Sequence, residues 1–113
     1  MSGNRLVVGV LPLLTSITAA TVGEAKEPYH TNRSFEAYGN TISGSGAATV
    51  LIQVKNAREA PWETMGTITL TLGSSVTGDG FATTAPWRYV RANVTSISGT
   101  GAQVSVDMGT APL

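Results

Sequence analysis

The sequence contains no cysteine, a single histidine and few charged residues of either sign. The first absence excludes disulfides, thiolate metal sites and cysteine nucleophiles, and leaves the fold to packing and hydrogen bonds. It does not decide the redox compartment. Charged side chains make up 12% of the 113 residues, about half the share usual for a soluble protein. Ser, Thr and Gly must therefore cover much of the surface, which suits close contact with another protein. Seven basic and seven acidic residues cancel. That balance, with no basic run to break it, removes the electrostatic footprint of a nucleic-acid binder. Helical patterning is scarce as well: residues 22–28 carry charges and alanine at plausible spacing, but the stretch is short and stops at Pro28.

The usual materials of catalysis are thin. General acid–base work draws on histidine or on carboxylates held close together. His30 stands alone in a loop-like stretch, and Glu24, Glu27, Glu36, Glu59, Glu63, Asp79 and Asp107 are scattered, with no close pair on any one predicted strand. No metalloprotease, EF-hand, phosphate-loop or nucleophile-elbow pattern occurs, and Gly44-Ser45-Gly46 lacks the flanking spacing of the last. The expectation is a non-enzyme with no cofactor, no metal ligands and no small-molecule substrate.

What is present is alternation. Val50, Ile52 and Val54 share one face of residues 48–55, with Thr49, Gln53 and Lys55 on the other. Ile68, Leu70 and Leu72 alternate with threonines, Val90, Ala92 and Val94 share a face, and Val104, Val106 and Met108 alternate with Gln103, Ser105 and Asp107. A period of two marks half-buried strands of antiparallel sheets. Glycine-rich runs at 43–46, 73–80 and 98–101 separate these strands and read as hairpin turns. Two of them repeat: Ile42-Ser-Gly-Ser-Gly-Ala47 matches Ile97-Ser-Gly-Thr-Gly-Ala102 at an offset of 55 residues. Two similar hairpins half a chain apart predict an all-β, antiparallel two-sheet sandwich or jelly roll. The length fits one domain, which buries roughly 65% of its unfolded surface.

The N-terminus stands apart. Residues 6–14 are an apolar run after one positive charge, followed by small residues, in the manner of a secretory signal. The run is too short and interrupted for a transmembrane helix. The preferred reading is an extended apolar arm that packs on something. This divides the chain into an arm and linker at 1–32 and a β-sandwich domain at 33–113.

Aromatic and arginine residues are the other candidates. Trp62 and Trp87 each follow a proline. With Val90 and Ala92 facing the core, Trp87, Tyr89 and Arg91 fall on the outward side, a composition typical of interface hot spots. The same row suits stacking on sugar rings. Alternatively, Trp87 caps one end of the core while Tyr89 and Arg91 stack on a neighbouring strand. The candidate interface residues are therefore Leu6, Val7, Val8, Val10, Leu11, Leu13 and Leu14 of the arm, with Trp87, Tyr89 and Arg91.

Residues 62–72, the run Pro86-Trp-Arg-Tyr-Val-Arg91 with its flanks, and Ser98-Gly-Thr-Gly-Ala102 resemble small structural proteins of tailed bacteriophages, over about residues 33–109. The resemblance implies a virion protein assembled in the host cytoplasm: a capsid decoration (cement) protein, or a neck or tail component. Its partners would be the major capsid protein or other virion proteins, and copies of itself in a homo-oligomer, with no nucleic acid or membrane involved. The arm does not align to any motif of that family; its implied use is adding a strand to a neighbour's sheet edge. The strand bearing Trp87 to Arg91 opposite a glycine-rich run is also similar to late strands of galactose-binding-like jelly rolls, which implies carbohydrate binding. Those modules often carry a structural calcium, for which few acidic ligands are available here.

Overall fold

A computed structural model describes residues 9–112, which form eight strands and no helix. They are β1 (Gly9–Ile17), β2 (Thr21–Val22), β3 (Asn32–Asn40), β4 (Ser43–Lys55), β5 (Glu63–Leu72), β6 (Thr77–Thr83), β7 (Tyr89–Thr100) and β8 (Gln103–Ala111). The chain pairs as one long folded ribbon. β4 pairs antiparallel with β5, β3 with β6, β2 with β7 and β1 with β8. Successive pairs go to alternate sheets, and the contacts β3–β8 and β4–β7 stitch them together. The result is a first sheet in the order β1-β8-β3-β6 and a second in the order β2-β7-β4-β5. Eight antiparallel strands so arranged form a jelly roll, the all-β, two-sheet class expected from the sequence, although the repeated glycine-rich runs that suggested it are not hairpins.

The alternation also places the core. Val50, Ile52, Val54, Ile68, Leu70, Leu72, Val90, Ala92, Val94, Val104, Val106 and Met108 are all buried between the sheets. Each fully buried aliphatic side chain contributes about 1.5–3 kcal/mol. The largest buried ring, Phe35 on β3, lies beside Phe81 on β6 with centroids 5.4 Å apart. Phe81 reaches across to β5, where Gly66 leaves the space: a Cβ there would sit 2.5 Å from the ring.

Three expectations change. The glycine-rich runs are not hairpin turns between paired strands. The β3–β4 and β7–β8 connections each cross from one sheet to the other, and they do so side by side. Ile42 N donates to Thr100 O at 2.9 Å, and Ser43 lies opposite Thr100. Positive φ at Gly44 (71°), Gly99 (119°) and Gly101 (62°) lets the strands bulge and turn the corner. In the run at 73–80, residues from Thr77 onward belong to β6, because glycines there let β6 lie close against β3. Residues 22–32 are also less detached than a link. Gly23 N donates to Ala92 O, and Lys26 and Val90 exchange both backbone hydrogen bonds, so the segment follows the edge of β7.

Candidate interaction site

The strands of the second sheet carry two cations, Lys55 and Arg91, and one acid, Glu63 at the start of β5. Because Val50, Ile52 and Val54 point inward, Leu51, Gln53 and Lys55 point out, and β7 presents Tyr89, Arg91 and Asn93 alongside them. The register sets Gln53 opposite Arg91 and Lys55 opposite Tyr89. Trp62, just before β5, completes the group. Arg91 Cζ lies 4.4 Å from the Trp62 ring centroid and Lys55 Nζ 4.6 Å from it. Arg88 Cζ stands 5.1 Å from the Tyr89 ring. Such contacts are worth about 0.5–1 kcal/mol each at exposed sites.

Hydrogen bonds fix the guanidinium. Arg91 Nε donates to Gln53 Oε1 at 2.9 Å, and Asn93 Nδ2 donates to the same oxygen at 3.4 Å. Partial burial pushes the Arg91 pKa down from its usual value. Among the described residues, neither Arg91 nor Lys55 has a carboxylate within ion-pair distance; Arg88 has Glu27 at 3.2 Å. Two aromatic rings held beneath uncompensated cations are suited to docking on an acidic surface.

The predicted site residues disperse. Leu6, Val7 and Val8 lie outside the described residues. Leu13 is buried in the core and Leu14 packs against it, whereas Val10 and Leu11 are exposed on β1. Tyr89 and Arg91 join the cation–aromatic group, but Tyr89 is only 8% exposed beneath its neighbours. Trp87 leaves the row. Its backbone N donates to Ala85 O at 3.0 Å, which turns the loop, and the indole packs against the core. It lines a groove of about 440 Å³ with Glu27, Pro28, Tyr29, Thr31 and Arg88. Thus Trp87 supports one end of the core, as the alternative reading of that row has it.

Three residues of consequence were not singled out from the sequence. Trp62 was noted only for its proline, and Lys55 only as a strand residue, although both belong to this face. Arg33 is the third. It is 4% exposed on β3, pointing inward with Phe35 and Ala37. Its guanidinium donates to the backbone carbonyls of His30 (2.7 Å), Trp87 (2.7 Å), Pro28 (3.3 Å) and Ala85 (3.5 Å). Burial lowers its pKa as well.

The outer face of the first sheet has the opposite sign. Apart from buried Arg33, the charged side chains of its strands are Glu36, Asp79 and Asp107. Glu36 and Asp107, far apart in sequence, stand directly opposite each other on β3 and β8, a pairing that no single strand reveals. Tyr38 Oη donates to Asp107 Oδ2 at 3.2 Å. That bond and the carboxylate charge raise the phenol pKa above its ordinary value.

No protein-family model matches the chain, and no curated protein sequence matches it. Among solved structures, it is similar to the crystal structure of the SPBc2 prophage-derived protein YomS, with a TM-score of 0.60, 14% identity and 98% of each chain covered. At that identity the likeness is one of fold, and it extends from end to end.

Proposed function

We propose that this chain is a non-enzymatic structural protein of a tailed-phage particle, acting as a capsid decoration or cement protein that holds neighbouring capsid subunits. The observation that carries the reading is the Trp62, Lys55, Tyr89 and Arg91 group: aromatic rings and uncompensated cations on one sheet face, the composition of an interface centre. Sharing a fold with a prophage-derived protein supports a phage origin. The partner surface is acidic. Many copies on a symmetric lattice turn weak single contacts into firm attachment. The chain then resides in the virion after assembly in the host cytoplasm.

Cryo-EM of particles carrying the wild-type chain or the double variant Trp62→Ala/Arg91→Ala tests this. The wild type is expected as ordered density at capsid subunit junctions with this face inward, and the variant at tenfold lower occupancy or less. Absence of the wild-type chain from the particle would overturn the reading.

A second reading rests on the groove beside Trp87. Tyr29, 92% exposed, and Trp87 offer ring faces, while Glu27, Thr31 and Arg88 offer hydrogen-bonding groups, the mixture that suits a sugar. Glycan-array binding lost in Trp87→Ala, in a chain absent from particles, would favour it.

A further inference from the structure

The net charge of zero conceals a separation. The second sheet faces outward with Lys55 and Arg91, and the first with Glu36 and Asp107. The first sheet's outer face is also flat. Val10 lies opposite Gly109, Gly109 opposite Ser34 and Ser34 opposite Ala82, while Glu36 lies opposite Gly80. Nothing larger than valine rises along the Val10 row; in the next row Glu36 and Asp107 stand side by side, with the Tyr38 hydroxyl donating to Asp107 from the far side. A shallow depression in this sheet is lined by residues 32–34, the buried Arg33 among them, Ala82 and residues 109–111.

From this complementarity we propose that the acidic face of the first sheet docks on the cation–aromatic face of a second copy's second sheet. Glu36 and Asp107 would meet Lys55 and Arg91, which lack carboxylate partners among the described residues. The proposal rests on reading the Trp62–Arg91 group as an interaction surface: each stacked copy uses that face on its neighbour, and the end copy of an open stack keeps it free for the capsid. The contact is heterologous: each copy uses one face to bind and offers the other. It therefore propagates into stacks or closes into a ring rather than ending at a dimer. Four strands spaced about 4.8 Å apart, over roughly 25 Å of strand, give a footprint of about 400 Å² per copy. That is half of the ~800 Å² per partner usual in stable complexes. A single contact is therefore weak, and dense arrangement on a lattice would be needed to populate it.

Sedimentation equilibrium of the purified chain tests the proposal across concentrations up to about 1 mM. Self-association is expected at low ionic strength. It should weaken at least tenfold at 0.5 M salt, where exposed charges are screened over a few ångströms. Glu36→Lys/Asp107→Lys makes both faces basic, and Lys55→Glu/Arg91→Glu makes both acidic. Each variant alone should stay monomeric, and an equimolar mixture should associate again, because unlike faces then meet. Neutral Glu36→Gln/Asp107→Asn, with circular dichroism as the folding control, should lose association without the reversal. A wild-type chain that stays monomeric at 1 mM in low salt overturns the proposal, as does association indifferent to salt and to both reversals. If the wild type is monomeric yet Lys55→Glu/Arg91→Glu still removes the chain from particles, self-stacking falls while the interface reading stands.

Discussion

At one end of the sandwich, a buried arginine ties the loops before β3 and before β7 by donating to four backbone carbonyls. At the other end, the β3–β4 and β7–β8 corners interlock through glycines, with Gly99 at φ 119° beside Thr41 and Gly101 against Ile42. The two ends face the same difficulty: irregular backbone must be closed over a core without leaving polar groups unpaired. The arginine end solves it with one long side chain of five donors, which reaches two loops at once. The glycine end solves it mostly with backbone, by letting two segments approach closer than any Cβ would permit, and short side chains finish the work: the buried Thr41 hydroxyl donates to Gly44 O at 2.6 Å. A charged closure depends on a single residue. A glycine closure spreads its dependence over several.

Substitutions at the arginine end should therefore have the largest effect. Arg33→Ala strands several carbonyls and removes their common donor, and is expected to cost about 3 kcal/mol in urea unfolding. Arg33→Lys should recover only part of this, since an ammonium is no planar fork. A loss below about 1 kcal/mol for Arg33→Ala would show that water replaces the side chain. Gly99→Val comes next, at about 2 kcal/mol, because the residue must hold a conformation that side chains rarely adopt while its Cβ crowds Thr41 Cγ2 at 2.8 Å. Equal costs at both ends would break the contrast between a single closure and a shared one.

The smallest effect lies between the ends, at Tyr38. Its folded pKa is raised by Asp107 above the unfolded value, near 10. Folding thus favours the neutral phenol. The stability it contributes is complete below about pH 10 and is lost as the pH rises through the higher folded pKa. Ultraviolet titration should show a tyrosine step above the ordinary phenol range, and Asp107→Asn should bring it back. A Tyr38 midpoint unaffected by that substitution would remove the hydrogen bond from the account.

Four strands were legible from alternation alone because their inward positions are uniformly apolar: Val50 to Val54, Ile68 to Leu72, Val90 to Val94 and Val104 to Met108. β3 was not, because its inward row begins with Arg33 and ends with Gly39, and an arginine there looks like a surface residue. β6 hid behind Gly78 and Gly80, which read as turn chemistry although they serve close strand approach. The repeat at 42–47 and 97–102 was visible, but its meaning was not. Glycine runs serve hairpins and sheet-crossing corners alike, and only the pairing of β3 with β8 and β4 with β7 tells them apart. Of the site, Tyr89 and Arg91 follow from strand period. Lys55 and Trp62 join them only through registers spanning dozens of residues, and Trp87 departs because its loop turns before the strand begins.

The nesting of the ribbon also sets an order of events during synthesis. Gly9 finds its partner at Thr110, so β1 leaves the ribosome about a hundred residues before the strand it pairs with. The β4–β5 pair, joined by a short connection, closes at the least entropic cost, and each outer pair must span a longer loop. Until β8 has been made, it is missing from between β1 and β3, and the first sheet cannot form as a unit. A truncation that removes β8 would take away the middle of that sheet, leaving a nascent chain with exposed strand edges.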